Sequence, residues 1–275
     1  HSWNIEINYN LNISGTGLDF EEHTIYAPLT GAYSFPFTVA DLDSDNDDDI
    51  LYTTTGAHEL IWAENVYAEG GEFIPHSIFE LTHYPNQYAV GDFDNDDDMD
   101  IITSTLDDNV CWIENLGGEF FSFETIIEEI ENMECMTFAD LQGDNDLDLL
   151  IGAGKSYIDD DNGLFGLYND GLGNFSDAVN YYTYTDVINI TTGFINDDIY
   201  PDVVFLDNIL GALDGYPVNG HMLYGTEDAT LSDINNLLSF TPPQFDLTGF
   251  SKGDLSDINE DGFDDLAISV NGGVI

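Results

Sequence analysis

The chain has 275 residues, of which 55 are Asp or Glu and only two are basic (Lys155 and Lys252), for a formal net charge of −53. That balance excludes nucleic acid and anionic membrane surfaces as partners, because both are held through clustered Lys and Arg. With 43% hydrophobic and 13% aromatic residues this is not a disordered acidic tail, and no apolar run approaches the ~18 residues that span a bilayer.

Taken in chain order, five acidic segments repeat. They are Ala40–Leu51, Gly91–Ile102, Ala139–Leu150, the worn Gly193–Val204, and Ser256–Ala267. Their second residues, at 41, 92, 140, 194 and 257, recur every 48 to 63 residues. The stretches between them repeat as well. Trp62-Ala-Glu-Asn65 precedes Gly70-Gly-Glu-Phe73, Trp112-Ile-Glu-Asn115 precedes Gly117-Gly-Glu-Phe120, and Leu167-Tyr-Asn-Asp170 precedes Gly171-Leu-Gly-Asn-Phe175. The phrase Phe20-Glu-Glu-His23-Thr-Ile25 returns as Phe73-Ile-Pro-His76-Ser-Ile78. Short β-rich runs bounded by Gly, Asn and Asp are hairpin signals. Thr125–Glu134 comes nearest to a helical period, but its counterparts in the other repeats read as strand. A period near 50 residues with about four strands per unit predicts an all-β propeller of four-stranded blades.

The blades predicted are 33–84, 85–133, 134–186 and 187–247. The remainders, 248–275 and 1–32, together have the length of one more blade, so N- and C-terminal strands sharing a blade would close a five-bladed ring without an open edge. The alternative is part of a seven-bladed ring. His1 reads as a processed or artificially set start, with no signal-like apolar region. Cys111 and Cys135 are too few for a disulfide framework; they either pair or stay as buried thiols.

Each acidic segment places oxygen donors at positions one, three, five and nine, with a main-chain carbonyl available at seven. The first supplies Asp41, Asp43, Asp45, Asp47 and Asp49; the second supplies Asp92, Asp94, Asp96, Asp98 and Asp100. The third has Asp140, Gln142, Asp144, Asp146 and Asp148, and the fifth has Asp257, Asn259, Asp261, Phe263 and Asp265. In each set the position-seven residue (Asp47, Asp98, Asp146, Phe263) contributes through its carbonyl. Alternate residues of a tight loop converge on one point, and six or seven oxygens suit Ca²⁺ better than Mg²⁺. No Cys or His is interleaved, which argues against Zn²⁺. Position six needs a left-handed residue, and Gly262, Asn46, Asn145 and Asp97 are suited to it. The fourth segment keeps only Asn196, Asp198 and Asp202, with Phe194 at position one and Ile199 at six, so its site is weak or empty. The EF-hand alternative fails because its Glu at position twelve and its following helix are missing; strand-like runs such as Ile50-Leu51-Tyr52 follow instead.

These loops with their following strands resemble the FG-GAP and VCBS repeats of calcium-binding β-propellers, the family that includes integrin α-subunit heads. The resemblance covers essentially the whole chain. It implies loops that join the first two strands of each blade and hold structural Ca²⁺, at about four sites with a fifth degenerate. It also implies adhesion more than any individual residue does.

No catalytic signature appears. His1, His23, His58, His76, His83 and His221 form no ligand-spaced pair, and there is no nucleophile elbow, phosphate loop or dinucleotide fingerprint. Trp62 and Trp112, at matching places in their repeats, read as inter-blade packing rather than a sugar platform. The sequence therefore predicts a secreted or cell-surface, non-catalytic propeller that binds a glycan or an extracellular protein, with self-assembly open. The alternatives are a polysaccharide-active lyase or hydrolase on the same scaffold and a structural subunit of a surface layer or fibre.

Overall fold

A computed structural model describes residues 5–12, 20–27, 37–53, 59–66, 72–80, 85–105, 109–118, 120–128, 130, 133–154, 162–183, 185–208, 218–226, 231–240, 252–270 and 273–274. Among these every regular element is a strand. A hairpin of β1 (Ile5–Asn12) and β2 (Phe20–Ala27) comes first. Four antiparallel sheets follow, each built from four consecutive strands.

The first sheet holds β3 (Phe37–Ala40), β4 (Asp49–Thr53), β5 (Glu59–Asn65) and β6 (Phe73–Glu80). The second holds β7 (Pro85–Gly91), β8 (Asp100–Thr105), β9 (Val110–Asn115) and β10 (Phe121–Ile127). The third holds β11 (Met133–Ala139), β12 (Asp148–Ala153), β13 (Gly163–Leu167) and β14 (Val179–Thr183). The fourth holds β15 (Asp186–Gly193), β16 (Asp202–Asn208), β17 (Val218–Tyr224) and β18 (Ser232–Phe240). A three-stranded sheet of β19 (Lys252–Ser256), β20 (Asp265–Val270) and β21 (Gly273–Val274) ends the chain. Part of the helix-like stretch, through Ile127, is the outer strand β10, as its repeat neighbours suggest.

The first strands of successive sheets, β3, β7, β11, β15 and β19, pack side by side. That is the arrangement of propeller blades around an axis. Second strands are covered by sheets on both faces, so β4, β8 and β12 are buried at every residue and read as continuous apolar runs. Outer strands such as β10 and β14 lie largely open.

The core lies between blades. One cluster joins Leu42, Leu51, Leu60 and Trp62 of the first sheet and its loop to Ile101 and Ile113 of the second. The next joins Phe93, Ile102 and Trp112 to Leu149, Ile151 and Leu167. The third joins Leu141, Leu150 and Leu164 to Val203, Phe205 and Leu223. Each cluster contains the position-two residue of an acidic loop, which plugs into the following blade. Burying one such side chain is worth about 1.5–3 kcal/mol. Trp62 and Trp112 are buried in these clusters, and the Trp112 ring lies against Gly173 in the β13–β14 turn of the following blade. Cys111 and Cys135 form no disulfide.

Among the described residues the β1–β2 hairpin forms no ladder with β19–β21.

Candidate metal centre

Five loops join the first strand of a sheet to its second, and all five close in the same register. Ala40 pairs with Asp49, Gly91 with Asp100, Ala139 with Asp148, Gly193 with Asp202, and Ser256 with Asp265. The position-nine Asp therefore opens the second strand in every copy.

That Asp has a structural task in all five. One oxygen accepts the N–H of position two: Leu42 to Asp49 at 3.0 Å, Phe93 to Asp100 at 3.2 Å, Leu141 to Asp148 at 2.9 Å, Ile195 to Asp202 at 3.0 Å and Ile258 to Asp265 at 3.1 Å. In the first four copies the other oxygen accepts an N–H from the end of the third strand, from Asn65, Asn115, Asn169 or Gly225. Asp100 and Asp148 are fully buried. Burial pushes their carboxyls up to about 7, although the N–H donors pull the other way. The Trp112 indole N–H, short of hydrogen-bond geometry, also favours ionised Asp100.

Position one ties the turn itself. Asp41 accepts from the N–H groups of Asp45 and Asn46, Asp92 from Asp96 and Asp97, Asp140 from Asp144 and Asn145, and Asp257 from Asp261 and Gly262. Position five accepts from position seven in the same four loops. This wrapping needs two left-handed residues per loop, at positions four and six. They are Ser44 and Asn46, Asn95 and Asp97, Gly143 and Asn145, and Glu260 and Gly262, with φ between 60° and 95°. The position-six residues match the sequence expectation; position four is not legible in the sequence, since Ser44 and Glu260 carry no compositional signal for it.

The fourth loop is different. None of residues 194–202 has positive φ, and Phe194 offers no carboxylate to gather the turn. Asn196, Asp198 and Asp202 are present and bonded to one another or to the loop backbone.

In the first two loops, carboxylate oxygens of Asp41, Asp43 and Asp49, and of Asp92, Asp94 and Asp100, lie within 4.8 Å of one another. Asp45 and Asp96 stand outside these groups, and they accept the N–H groups of Asp47 and Asp98. The third and fifth loops have Gln142 and Asn259 at position three, an amide in place of the third carboxylate. Burial raises the Asp43 carboxyl to about 6, reinforced by the charges of Asp49, Asp45 and Glu64. Asp94 is raised by burial and by Asp96, Glu114 and Asp92. Glu64 and Glu114, from the Trp-x-Glu-Asn phrase, thus face the sites although loop spacing alone does not reveal them.

One oxygen of Asp43 and one of Asp94 (Oδ1 in each) is buried without a hydrogen-bond donor. A buried carboxylate oxygen among other carboxylates is costly unless a cation meets it. The donor set is all oxygen, which fits a hard divalent ion.

Comparison with known proteins agrees with this geometry. The FG-GAP-like repeat family matches residues 41–103 and 92–151. Residues 41–151 thus carry FG-GAP-like repeats. The matched segments run from the first acidic loop through the second and into the strand after the third. Two solved structures share the propeller fold of this chain. The β-propeller domain of Nup133 from Vanderwaltozyma polyspora superposes with a TM-score of 0.58 at 11% identity, over 92% of this chain and 72% of that one. A triple-arginine mutant of AofleA from Arthrobotrys oligospora gives 0.55 at 9% identity, over 91% and 70%. No curated protein matches the chain.

Adjacent FG-GAP loops are also stitched together. The Asn115 side chain donates to Leu42 O at 2.8 Å in the preceding loop, and Asn169 donates to Phe93 O at 2.6 Å. Asn95 donates to Asp146 Oδ1 at 2.7 Å in the loop that follows.

Proposed function

We propose that this chain is a Ca²⁺-stabilised propeller that works outside the cell as a non-catalytic binding module, for a glycan or another protein, in adhesion or surface assembly. The observation that carries the calcium reading is the pair of buried, donorless oxygens on Asp43 and Asp94 inside three-carboxylate groups. Side chains at positions one, three, five and nine, with the carbonyl at seven, would hold the ion in the first, second, third and fifth loops. The fourth, without its left-handed pair, would hold it weakly or not at all.

A cation reverses the sign of the repulsion among these carboxylates. It stabilises the ring by mass action, by about 2.7 kcal/mol when free ion is a hundredfold above Kd. Extracellular calcium modules work with Kd of about 10⁻⁴–10⁻³ M, which suits loops whose third ligand is an amide. Secretion is supported by this and by the extreme acidity.

The packing at the fifth loop does not by itself support the ring closure proposed from the repeat count. Leu42, Phe93 and Leu141 are buried by the next blade, whereas Ile258, at the same place in the fifth loop, is 66% exposed. A closed ring would set Ile258 against the first sheet, as Leu42, Phe93 and Leu141 are set against theirs.

Calorimetric titration of Ca²⁺ into cation-stripped protein tests the metal reading. About four ions should bind and the melting temperature should rise; no heat and an unchanged melt would refute it. A glycan array run beside a product assay on the same polysaccharides tests the binding reading. Binding without turnover supports it, and release of product favours an enzyme.

A further inference from the structure

We infer that the fourth acidic loop is an apolar docking element for a protein segment that carries an apolar side chain flanked by Lys or Arg. The inference rests on reading the chain as a binding module and does not depend on calcium in the other loops.

In the first three loops the apolar position-two residue is buried in the following blade, and the tips of the loops are polar. The fourth loop inverts this pattern. Phe194, in place of the position-one carboxylate, is 49% exposed, and Ile199, in place of the left-handed turn residue, is 73% exposed. Phe263 of the fifth loop is also exposed. It is the neighbour of Asp264, which is bonded to Phe194.

A merely decayed cation loop would be loosely held. This one is braced on both sides. Phe194 N–H donates to Asp264 Oδ2 at 2.8 Å, and Asp264 N–H donates back to Phe194 O at 2.9 Å. Inside the loop, Asp198 N–H donates to Asn196 Oδ1 at 2.7 Å, and Tyr200 N–H donates to Asp198 Oδ1 at 3.0 Å. The Tyr200 ring lies against Gly143 of the third loop, where a Cβ would crowd it at 3.1 Å. A backbone fixed before the partner arrives spares the ordering cost of binding. Phe194 and Ile199 thus stand exposed on a mount held by bonds to both neighbouring loops.

The charge around the patch selects the occupant. Asp197 and Asp198 in the same loop, and Glu260 and Asp261 in the next, are exposed. They lie within a few residues in sequence of Phe194, Ile199 and Phe263, and charges act over about 8 Å at physiological salt. An apolar partner without cations would leave those carboxylates uncompensated, and a purely basic one would leave Phe194 and Ile199 wet. A segment with both features meets both surfaces, and the charge speeds its encounter.

The test uses two fluorescent peptides of equal charge, Lys-Lys-Leu-Trp-Lys-Lys and Lys-Lys-Ser-Ser-Lys-Lys, with the full chain at physiological salt and saturating calcium. Anisotropy should show the first binding about tenfold more tightly than the second. The double variant Phe194→Ser, Ile199→Ser should lose that preference while its melting temperature and calcium titration stay as in the parent. Leu172→Ser, at an exposed residue of the β13–β14 turn, should keep the preference. Equal binding of both peptides, retention of the preference in the double variant, or equal loss in Leu172→Ser would overturn the assignment. None of those results touches the glycan-array test of the broader binding reading.

Discussion

Asn115→Ala should be among the most destabilising single changes outside the apolar core. The Asn115 side chain is 2% exposed and makes three hydrogen bonds, to Leu42 O at 2.8 Å, to Met99 O at 3.2 Å and from Gly117 N–H at 3.1 Å. The first of these crosses from the second blade to the loop of the first. Alanine removes all three and leaves main-chain groups without partners in a buried site. At about 1 kcal/mol each, the loss is about 3 kcal/mol. For a chain of this size that corresponds to roughly 2–4 °C per kcal/mol, a fall in melting temperature of roughly 6–12 °C. Urea denaturation of cation-stripped and calcium-loaded protein gives the free energy directly. Asn174→Ala is the control, because its amide donates only to the exposed Asp170 carboxylate on a surface turn, and it should change stability little. A loss below about 1 kcal/mol for Asn115→Ala, or one equal to that of Asn174→Ala, would refute the inter-blade staple.

Three further outcomes are expected. Phe194→Asp combined with Ile199→Gly should add one ion to the calcium stoichiometry, since it restores the position-one carboxylate and the left-handed residue beside Asn196, Asp198 and Asp202; Phe194→Ser with Ile199→Gly should add none. Gly173→Ala should cost at least about 2 kcal/mol in urea melts, because its φ is +75° and its Cβ would run into the Trp112 ring, whereas Gly262→Ala, at φ +95° with open space around it, should cost only about 1 kcal/mol of backbone strain. In cation-stripped protein, stability should fall as pH rises from about 4 to about 7, because native Asp100 and Asp148 hold their protons up to about 7 while the unfolded chain releases them near 3.8. Calcium should reverse that slope, since the ion displaces those protons and binds more tightly as pH rises. Thermal melts across pH with and without calcium measure both.

Much of this architecture is written in local chemistry. The all-β fold follows from strand runs punctuated by Gly, Asn and Asp, and the loops are legible because Asp41, Asp43 and Asp49 keep one spacing across copies. The departure of the fourth loop from the pattern is legible in Phe194 and Ile199, and its backbone lacks the left-handed pair. What could not be read depends on contacts between blades. Asn115 and Asn169 appear in sequence as members of a repeated phrase, yet their amides reach carbonyls more than seventy residues away. Glu64 and Glu114 face Asp43 and Asp94 only because β5 and β9 lie beside the loops. The position-nine Asp reads as a ligand in sequence, and the structure adds that it also anchors two strands. The apolar face of the fourth loop likewise emerges only from burial, which leaves Phe194 and Ile199 exposed where the first three loops bury their apolar position-two residue.

The central claim is that oxygen ligands from the acidic loops hold divalent ions between the first two strands of each blade. Anomalous diffraction from crystals grown with calcium tests it most directly. The account predicts peaks in the first two loops, coordinated by Asp41, Asp43 and Asp49 and by Asp92, Asp94 and Asp100 at about 2.3–2.6 Å, with little or nothing in the loop of Phe194. Peaks scattered over the acidic surface, with none inside those two loops, would contradict it.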